Sequence, residues 1–498
     1  MSFSRILLIS SLRPEPKYLL YPNTGLGYIA QSLKNNGIIY DTLDMRLGYP
    51  LSRLMRKIKE FNPDLIGISM RTPEYKLQYR MISRIKRSFP KTKIALGGDH
   101  SNLMREETLL ECPEIDYAVV FEGEKTFINL IQNENNHKKL KGLIFRNNGK
   151  VIYNGDAEFE KDLDNLPFPR YERFNLGEYP NKEIGIVSSR GCPYRCIFCV
   201  ESSKNTRRIY RARSPENVVD EIEYWYLKGY RKFDFSEPMF NLKRERVIGI
   251  CDEIRKRKLI NLNLAVRSGL RADSTDREVL KKMKEVGFSA ISFGVEGGND
   301  KMLEIIKKSE KMTDIEKAIK DACDVGFDVM LTFLIGLPFE EESDIRDAIK
   351  LSYKYPINAV FFNNVIPIPG SELFNWIKEN DYFLEAPEDY LDSIWRKKQN
   401  TPLFKTPELD AKRRRKLLHE TKSVKRDIAQ RRIKQKFESI FGKNLGILAF
   451  TFFANKPVLL IISYFTDWNP IRFYIRFSQT LDKLKLKLFR PQKIGQKS

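Results

Sequence analysis

Six cysteines in 498 residues are too few for a disulfide scaffold. No apolar run approaches the ~20 residues that cross a bilayer. The longest candidates, Leu445–Phe453 and Pro457–Phe465, have nine residues each. The opening Met-Ser-Phe-Ser-Arg-Ile-Leu-Leu-Ile-Ser has no small-residue cleavage site and too short an apolar stretch for a signal peptide. A reducing cytoplasm is the expected compartment. Acidic residues are in deficit, with 65 Asp and Glu against 87 Lys and Arg, a net charge of +22. From Lys412 to Ser498 there are 22 basic and 5 acidic residues, so +17 of that excess belongs to the tail. The chain is too long for one core and suits about three modules at ~150 residues each. With 42% hydrophobic and 31% charged residues, it is neither disordered nor a multi-span membrane protein.

Short β-branched runs alternate with amphipathic stretches over residues 1–140, the pattern of a parallel sheet with crossover helices. Strands are expected at Arg5–Ser10, Ile38–Leu43, Asp64–Ser69, Lys93–Leu96 and Asp116–Val120. A helix is expected from Thr24 to Asn36, closed by Gly37. This is a Rossmann-like doubly wound domain, with its ligand crevice beyond the carboxyl ends of the strands. Residues 141–180 read as a hairpin turning at Asn148-Gly149, then a proline-punctuated linker. Over 181–385 the alternation resumes, with strands at Glu183–Ser188, Lys232–Ser236, Asn261–Val266, Ala290–Val295, Asp328–Ile335 and Ala359–Ile366. Ser214 and Pro215 begin one of its helices. Six strand–helix units predict a partial (βα)6 TIM-type barrel with a lateral opening and its chemistry at the strands' C-terminal ends. Residues 386–498 form a basic, amphipathic helical region.

Three of the six cysteines stand at Cys192, Cys196 and Cys199, directly after the first barrel strand. Three thiolates this close suit an iron–sulfur cluster, and three protein ligands leave one iron of a four-iron cluster open. Structural zinc is the weaker reading, since it wants four ligands and the histidines, at 100, 137 and 419, are all distant in sequence.

With Phe198 before the last cysteine, Cys-x3-Cys-x2-Cys resembles the signature of the radical S-adenosylmethionine (SAM) superfamily. The resemblance extends along the barrel. Ser292–Gly298 (Ser-Phe-Gly-Val-Glu-Gly-Gly) is similar to the family's fourth strand, which implies a ribose contact by Glu296. Phe333–Pro338 resembles the glycine motif beside adenine, which implies a role for Gly336. Val365–Gly370, with Ile366, resembles the segment facing adenine from the sixth strand. Arg267 stands where relatives place a polar SAM contact. Glu237, in Ser236-Glu237-Pro238, takes the place of the acidic residue that receives the methionyl amine, although Pro238 departs from the usual pattern. The resemblance implies that the open iron binds SAM and that reductive cleavage gives a radical able to remove hydrogen from an unactivated carbon. The reductant would be a flavodoxin or ferredoxin.

A doubly wound domain ahead of such a barrel resembles the cobalamin-binding module of the cobalamin-dependent radical SAM class. Ser69 and Thr72 after the third strand, Gly97 and Gly98 after the fourth and Gly123 after the fifth match positions that admit the cofactor's nucleotide tail. No Asp-x-His-x-x-Gly is present to ligate cobalt, and His100 reads as a loop or tail contact. A domain that binds no cobalamin stays open. A nicotinamide domain is disfavoured, because no Gly-x-Gly-x-x-Gly follows the first strand.

Apolar runs flanked by Lys and Arg, with Trp468, Tyr474 and the basic Leu481–Phe489, suggest that the tail meets an anionic membrane surface, making the protein peripheral to the inner membrane face. A soluble helical cap over the barrel and a nucleic-acid surface are the other two readings; the last is disfavoured because no binding module accompanies it. The expected activity is methyl transfer to an unactivated carbon of a small molecule, for which the tail suggests a lipid or isoprenoid. The alternatives are radical cyclisation, as in the anaerobic magnesium-protoporphyrin ester cyclase that the architecture also resembles, and a non-catalytic cobalamin sensor.

Overall fold

The computed structural model describes residues 3–12, 20–202, 209–393, 401–444 and 447. Its first sheet holds β1 (Arg5–Ser10), β2 (Ile39–Asp44), β3 (Leu65–Ser69), β4 (Lys93–Gly97), β5 (Tyr117–Val119), β6 (Leu143–Asn147) and β7 (Lys150–Tyr153). The spatial order is β2-β1-β3-β4-β5-β6-β7. The first five strands pair in parallel, and β6 and β7 add an antiparallel edge. Their apolar runs are buried on both faces because helices cover both sides. These helices are α1 (Thr24–Asn35), α2 (Leu51–Phe61), α3 (Tyr75–Ser88), α4 (Asp99–Met104), α5 (Glu107–Glu111) and α6 (Gly123–Gln132). Asn23 caps α1 by accepting from the Leu26 N–H.

The predicted turn at Asn148-Gly149 has both residues at positive φ, 49° and 76°, as a two-residue hairpin requires. That hairpin is the edge of the first sheet, pairing through Tyr117–Phe145, so the sheet runs to Tyr153 and past the boundary expected at residue 140. Sequence periodicity could place the hairpin but not the strand beside which it lies.

The second sheet is all parallel in the order β15-β14-β13-β12-β11-β8. Its strands are β8 (Glu183–Ile186), β11 (Lys232–Phe235), β12 (Asn263–Leu270), β13 (Phe288–Glu296), β14 (Asp328–Ile335) and β15 (Ala359–Asn364). A two-stranded pair, β9 (Ser189–Arg190) and β10 (Arg211–Ala212), lies between β8 and β11 in sequence. The surrounding helices are α7 (Pro215–Leu227), α8 (Arg244–Lys256), α9 (Arg277–Glu285), α10 (Asp300–Ile305), α11 (Met312–Val325), α12 (Glu342–Lys354) and α13 (Glu372–Glu379), while α14 (Pro387–Ser393) packs on α3 of the first domain. Strand β12 continues to Leu270, four residues beyond the predicted end, through a register shift between Val266 and Leu270. Such an irregularity leaves no trace in an alternation pattern. The protein is thus α/β, with a Rossmann-like sheet followed by an open parallel barrel.

A long helix, α15 (Ala411–Phe441), lies along β15. Leu417 and Leu418 pack with Ile335 and Ile345, and Val424 and Ile428 join the main core. Arg432 pairs with Asp328 at the start of β14, and Arg431 donates to the Tyr355 carbonyl. The described part of the basic tail is therefore a helical cap on the barrel. The apolar stretches Leu445–Phe453, Pro457–Phe465 and Leu481–Phe489, and with them the expected membrane contact, lie outside the described residues except for Ile447. Among the described residues, no helix is long and apolar enough to cross a membrane.

Candidate functional site

The cysteine loop leaves the barrel just after β8, and β9 and β10 pair across its neck. Its far side is anchored by backbone bonds. The Ile197 N–H donates to the Ile306 carbonyl at 3.1 Å, and the Leu373 N–H to the Ile197 carbonyl at 3.0 Å. Ile197 is buried, so the segment between Cys196 and Cys199 is fixed by packing as well. All three thiols are half-buried, and burial pushes each upward, Cys199 to about 12. Cys196 also feels the charge of Cys192, and Cys199 that of both Cys196 and Cys192. Three thiols that burial keeps protonated, and that repel one another once ionised, ligate as thiolates only around a cationic centre. Among the described residues no three His, Cys, Asp or Glu side chains are gathered for a single metal ion. Thiolates on one zinc lie within about 4 Å of each other. In a cluster each binds its own iron and needs no such crowding.

The SAM expectations fall at different places. Glu296 ends β13 at a φ of 67°, a left-handed conformation unusual outside glycine, and its carboxyl is pushed up to about 7 by burial. Its charge reaches Cys196, so these two expectations meet at one mouth of the barrel. Nearby, Lys308 is buried, pairs with Glu310 at 3.3 Å and senses both Glu296 and Cys196. Arg271 stacks 3.5 Å over the Tyr194 ring inside the cysteine loop and donates to the carbonyls of Lys308 and Ser309. Lys308, Glu310 and Arg271 were not legible as site residues, because in sequence they read as polar loop positions. The two glycines after Glu296 have a packing reason at Gly298, where a Cβ would stand 2.3 Å from the Asp344 carbonyl oxygen of α12.

Gly336 follows β14, and the guanidinium of Arg414 on α15 occupies the space where its side chain would be. Arg414 is buried and donates to Asn364 Oδ1 at the end of β15. Ile366, just beyond, is half-buried against the core. Glu340 closes this corner by accepting from the Gly336 N–H at 2.5 Å and the Leu337 N–H at 3.3 Å. Burial pushes its carboxyl up from 4.5 to about 7, against the pull of those donors and of Arg414. A raised folded value favours the native state below pH 4.5, and the advantage disappears as pH rises through 7. The expected loss is about 3–4 kcal/mol at most, at ~1.4 kcal/mol for each pH unit of displacement. Glu340→Gln is therefore expected to flatten the fall in melting temperature between pH 5 and pH 8, as read by thermal unfolding.

Two expected SAM contacts are engaged elsewhere. Glu237 is buried and accepts from the backbone N–H and hydroxyl groups of Ser188 and Ser189, making it a strut beneath the neck of the cysteine loop. Arg267 lies within β12 rather than at its end, and donates to Glu183 Oε1 at 2.6 Å with Asp234 3.7 Å away. Burial pushes the Asp234 carboxyl up to about 6. These residues share the barrel floor, with Tyr21 of the first domain coupled to Asp234 and Glu183.

In the first domain, a cavity of about 280 Å³ opens between the sheet, α1 and α6. Ser69, Gly97, Gly98 and Gly123 all line it. Gly98 has a φ of 95°, and a Cβ there would lie 2.8 Å from the Met70 carbonyl oxygen. Sequence reasoning missed Gly67, in the middle of β3, where a Cβ would stand 3.0 Å from both Leu8 and Phe127. A glycine inside a strand is itself a sign of close approach. Thr72 is turned aside to His100, 3.3 Å away. That histidine is buried, also bonds the Tyr79 hydroxyl at 2.8 Å, stacks on Tyr75 and is held neutral by burial, its value pushed down to about 3. It braces the loop from beneath. A slot walled by glycine and apolar side chains fits a slender planar group such as a nucleotide tail. Val187 and Arg190, from the barrel's own chain segment, line the same cavity.

Comparison with known proteins gives matches to both halves. Residues 186–352 match the family model of the radical SAM superfamily, and residues 18–131 that of the B12 binding domain. An uncharacterized methyltransferase of Pyrococcus horikoshii is 28% identical over 370 residues, 73% of this chain and 80% of that protein. The anaerobic magnesium-protoporphyrin IX monomethyl ester cyclase of Cereibacter sphaeroides is 24% identical over 374 residues, 72% of this chain, which spans 61% of the cyclase. Among solved structures, the radical SAM methyltransferase TsrM of Kitasatospora setae, with cobalamin and a [4Fe-4S] cluster bound, superposes with a TM-score of 0.69 at 18% identity. The match covers 85% of this chain and 91% of that one and is a likeness of fold.

Proposed function

We propose, from the premise that this chain is a cobalamin-binding radical SAM enzyme, that it transfers a methyl group to an unactivated carbon of a small molecule. One observation carries the reading: the glycine-walled cavity of the first domain is bounded by Val187 and Arg190, at the neck of the cysteine loop. In this reading the two cofactor sites share a wall. When bound, the cluster and SAM supply reductive hydrogen-atom abstraction, and cobalamin supplies a methyl group.

The chain's own residues supply position and exclusion of water. Cys192, Cys196 and Cys199 would hold the cluster on a loop pinned at Ile197. Glu296, Gly336 and Ile366 would receive SAM along the ends of β13, β14 and β15, with Lys308 placing a positive charge beside Glu296 for the carboxylate of the substrate sulfonium. Gly67, Ser69, Gly97, Gly98 and Gly123 would admit the cobalamin tail. Glu237 and Arg267 act here as struts of the neck and floor. A flavodoxin or ferredoxin is the electron donor in this reading. A lipid or isoprenoid substrate rests on the apolar, basic composition beyond residue 444.

Ring closure is the second reading, favoured by the 24% likeness to the cyclase. An anaerobic assay with reductant, SAM and cobalamin separates the two. Methyl transfer gives methylated product with equal amounts of deoxyadenosine and S-adenosylhomocysteine. Deoxyadenosine without S-adenosylhomocysteine would overturn it in favour of cyclisation.

A further inference from the structure

Ion pairs fasten the neck of the cysteine loop to the wall of the first-domain cavity. Arg190 ends β9, two residues before Cys192, and its side chain is about 17% exposed. Its guanidinium donates to Glu124 Oε1 at 2.6 Å, lies 3.3 Å from Glu122 Oε1, and sits 4.8 Å over the ring of Tyr28 on α1. From the opposite strand of the neck, Arg211 grips both carboxylate oxygens of Glu122. Glu122 and Glu124 flank Gly123 at the first turn of α6, the wall of the cobalamin cavity. Two arginines from the neck therefore hold two carboxylates from that wall, and the four charges cancel in a buried setting.

The neck has little freedom to move independently of this clamp. Gly191 takes a φ of 80°, and a Cβ there would stand 2.3 Å from the Ile209 carbonyl oxygen, so the two sides of the neck are in backbone contact. Burial would favour neutral Glu124, yet the Arg190 charge and hydrogen bond hold its carboxyl below the usual range, so the pair stays ionised.

We propose that Arg190 is a positioning residue shared by the two cofactor chambers: through Glu124 and Glu122 it fixes the neck of the Cys192–Cys199 loop to the wall of the cobalamin cavity and sets the separation of corrinoid and cluster. The proposal rests on the functional reading above. A nucleotide tail seated beside Gly123 stiffens the first turn of α6, and the clamp passes that stiffness to the neck. Loss of the clamp leaves each chamber able to fill but no longer in register, so deoxyadenosine forms without matching methyl transfer.

The test uses the full-length, anaerobically reconstituted protein with hydroxocobalamin as probe. Absorbance titration reports binding, and hydrogen–deuterium exchange of residues 123–132, 186–192 and 209–213 reports rigidity. In the parent protein, cobalamin is expected to slow exchange in both α6 and the neck. In Arg190→Met, and in the charge-balanced double variant Arg190→Met with Glu124→Leu, each read at saturating hydroxocobalamin because both residues line the cavity, protection of α6 is expected to persist while protection of the neck is lost. The ratio of deoxyadenosine to S-adenosylhomocysteine is expected to rise about tenfold in both. Arg190→Lys, which keeps the charge, is expected to recover part of the neck protection. Neck protection that survives in the double variant, or a parent that binds cobalamin with no change at the neck, would overturn the clamp and leave the functional reading standing. A parent that binds no cobalamin would overturn both.

Discussion

Cys196→Ala protein, purified and reconstituted without oxygen, is expected to form no deoxyadenosine above background and to hold little of the iron and sulfide bound by the parent. The reason is the ligand count. Cys196 is the middle residue of the triplet, its thiol coupled electrostatically to Cys192 and near Glu296 and Lys308, so its loss removes a ligand from the point where cluster and SAM expectations meet. Two remaining thiolates cannot hold the cluster with one iron left open, and the chemical step has no substitute route. Cys323→Ala is the control. Cys323 lies in α11, away from the loop, and its replacement is expected to leave iron content and SAM cleavage unchanged. Wild-type rates of cleavage in the Cys196 variant would contradict the cluster assignment.

Gly67→Leu is expected to separate the two cofactors. The glycine leaves a channel beside Leu8 and Phe127, each only 3.0 Å from where a Cβ would begin, so a leucine would extend into the cavity. Overpacking a well-filled core costs about 1–3 kcal/mol, so the domain is expected to fold. Any ligand that needs the same space loses binding energy of the same order, about 10–100-fold in affinity at ~1.4 kcal/mol per decade. Absorbance titration with hydroxocobalamin measures the first effect. Deoxyadenosine formation is expected to persist while S-adenosylhomocysteine falls with the cobalamin content. Unchanged cobalamin affinity would place the nucleotide tail elsewhere.

Local features were legible in the sequence and long-range pairings were not. The cysteine triplet and the glycines at 97, 98 and 123 announce themselves because their chemistry depends on nearest neighbours in the chain. Strand and helix alternation gave both sheets, because burial on two faces demands apolar runs. Gly67 was hidden by the strand around it, Leu-Ile-Gly-Ile-Ser, where the pattern registers only hydrophobicity. Arg267 matched a position near a strand end until the register shift carried β12 onward, and its partner Glu183 is 84 residues away. Glu237 was visible as a carboxylate, but the four donors that engage it come from residues 188 and 189. Lys308 and Arg414 became conspicuous only through burial, a property of the fold that their neighbours in sequence do not foreshadow.

The helix laid along β15 has a consequence for solubility. An open sheet of six parallel strands has two unsatisfied margins, and each is a template for a foreign strand. Over one margin, β8, Tyr21 and Thr24 crowd against the face of the strand at Gly185. The other is covered by α15, which lies along β15. A chain ending before Asp410 would bare the β15 ladder together with Val360 and Phe362, and such a fragment is destined to self-associate rather than to persist as a smaller enzyme.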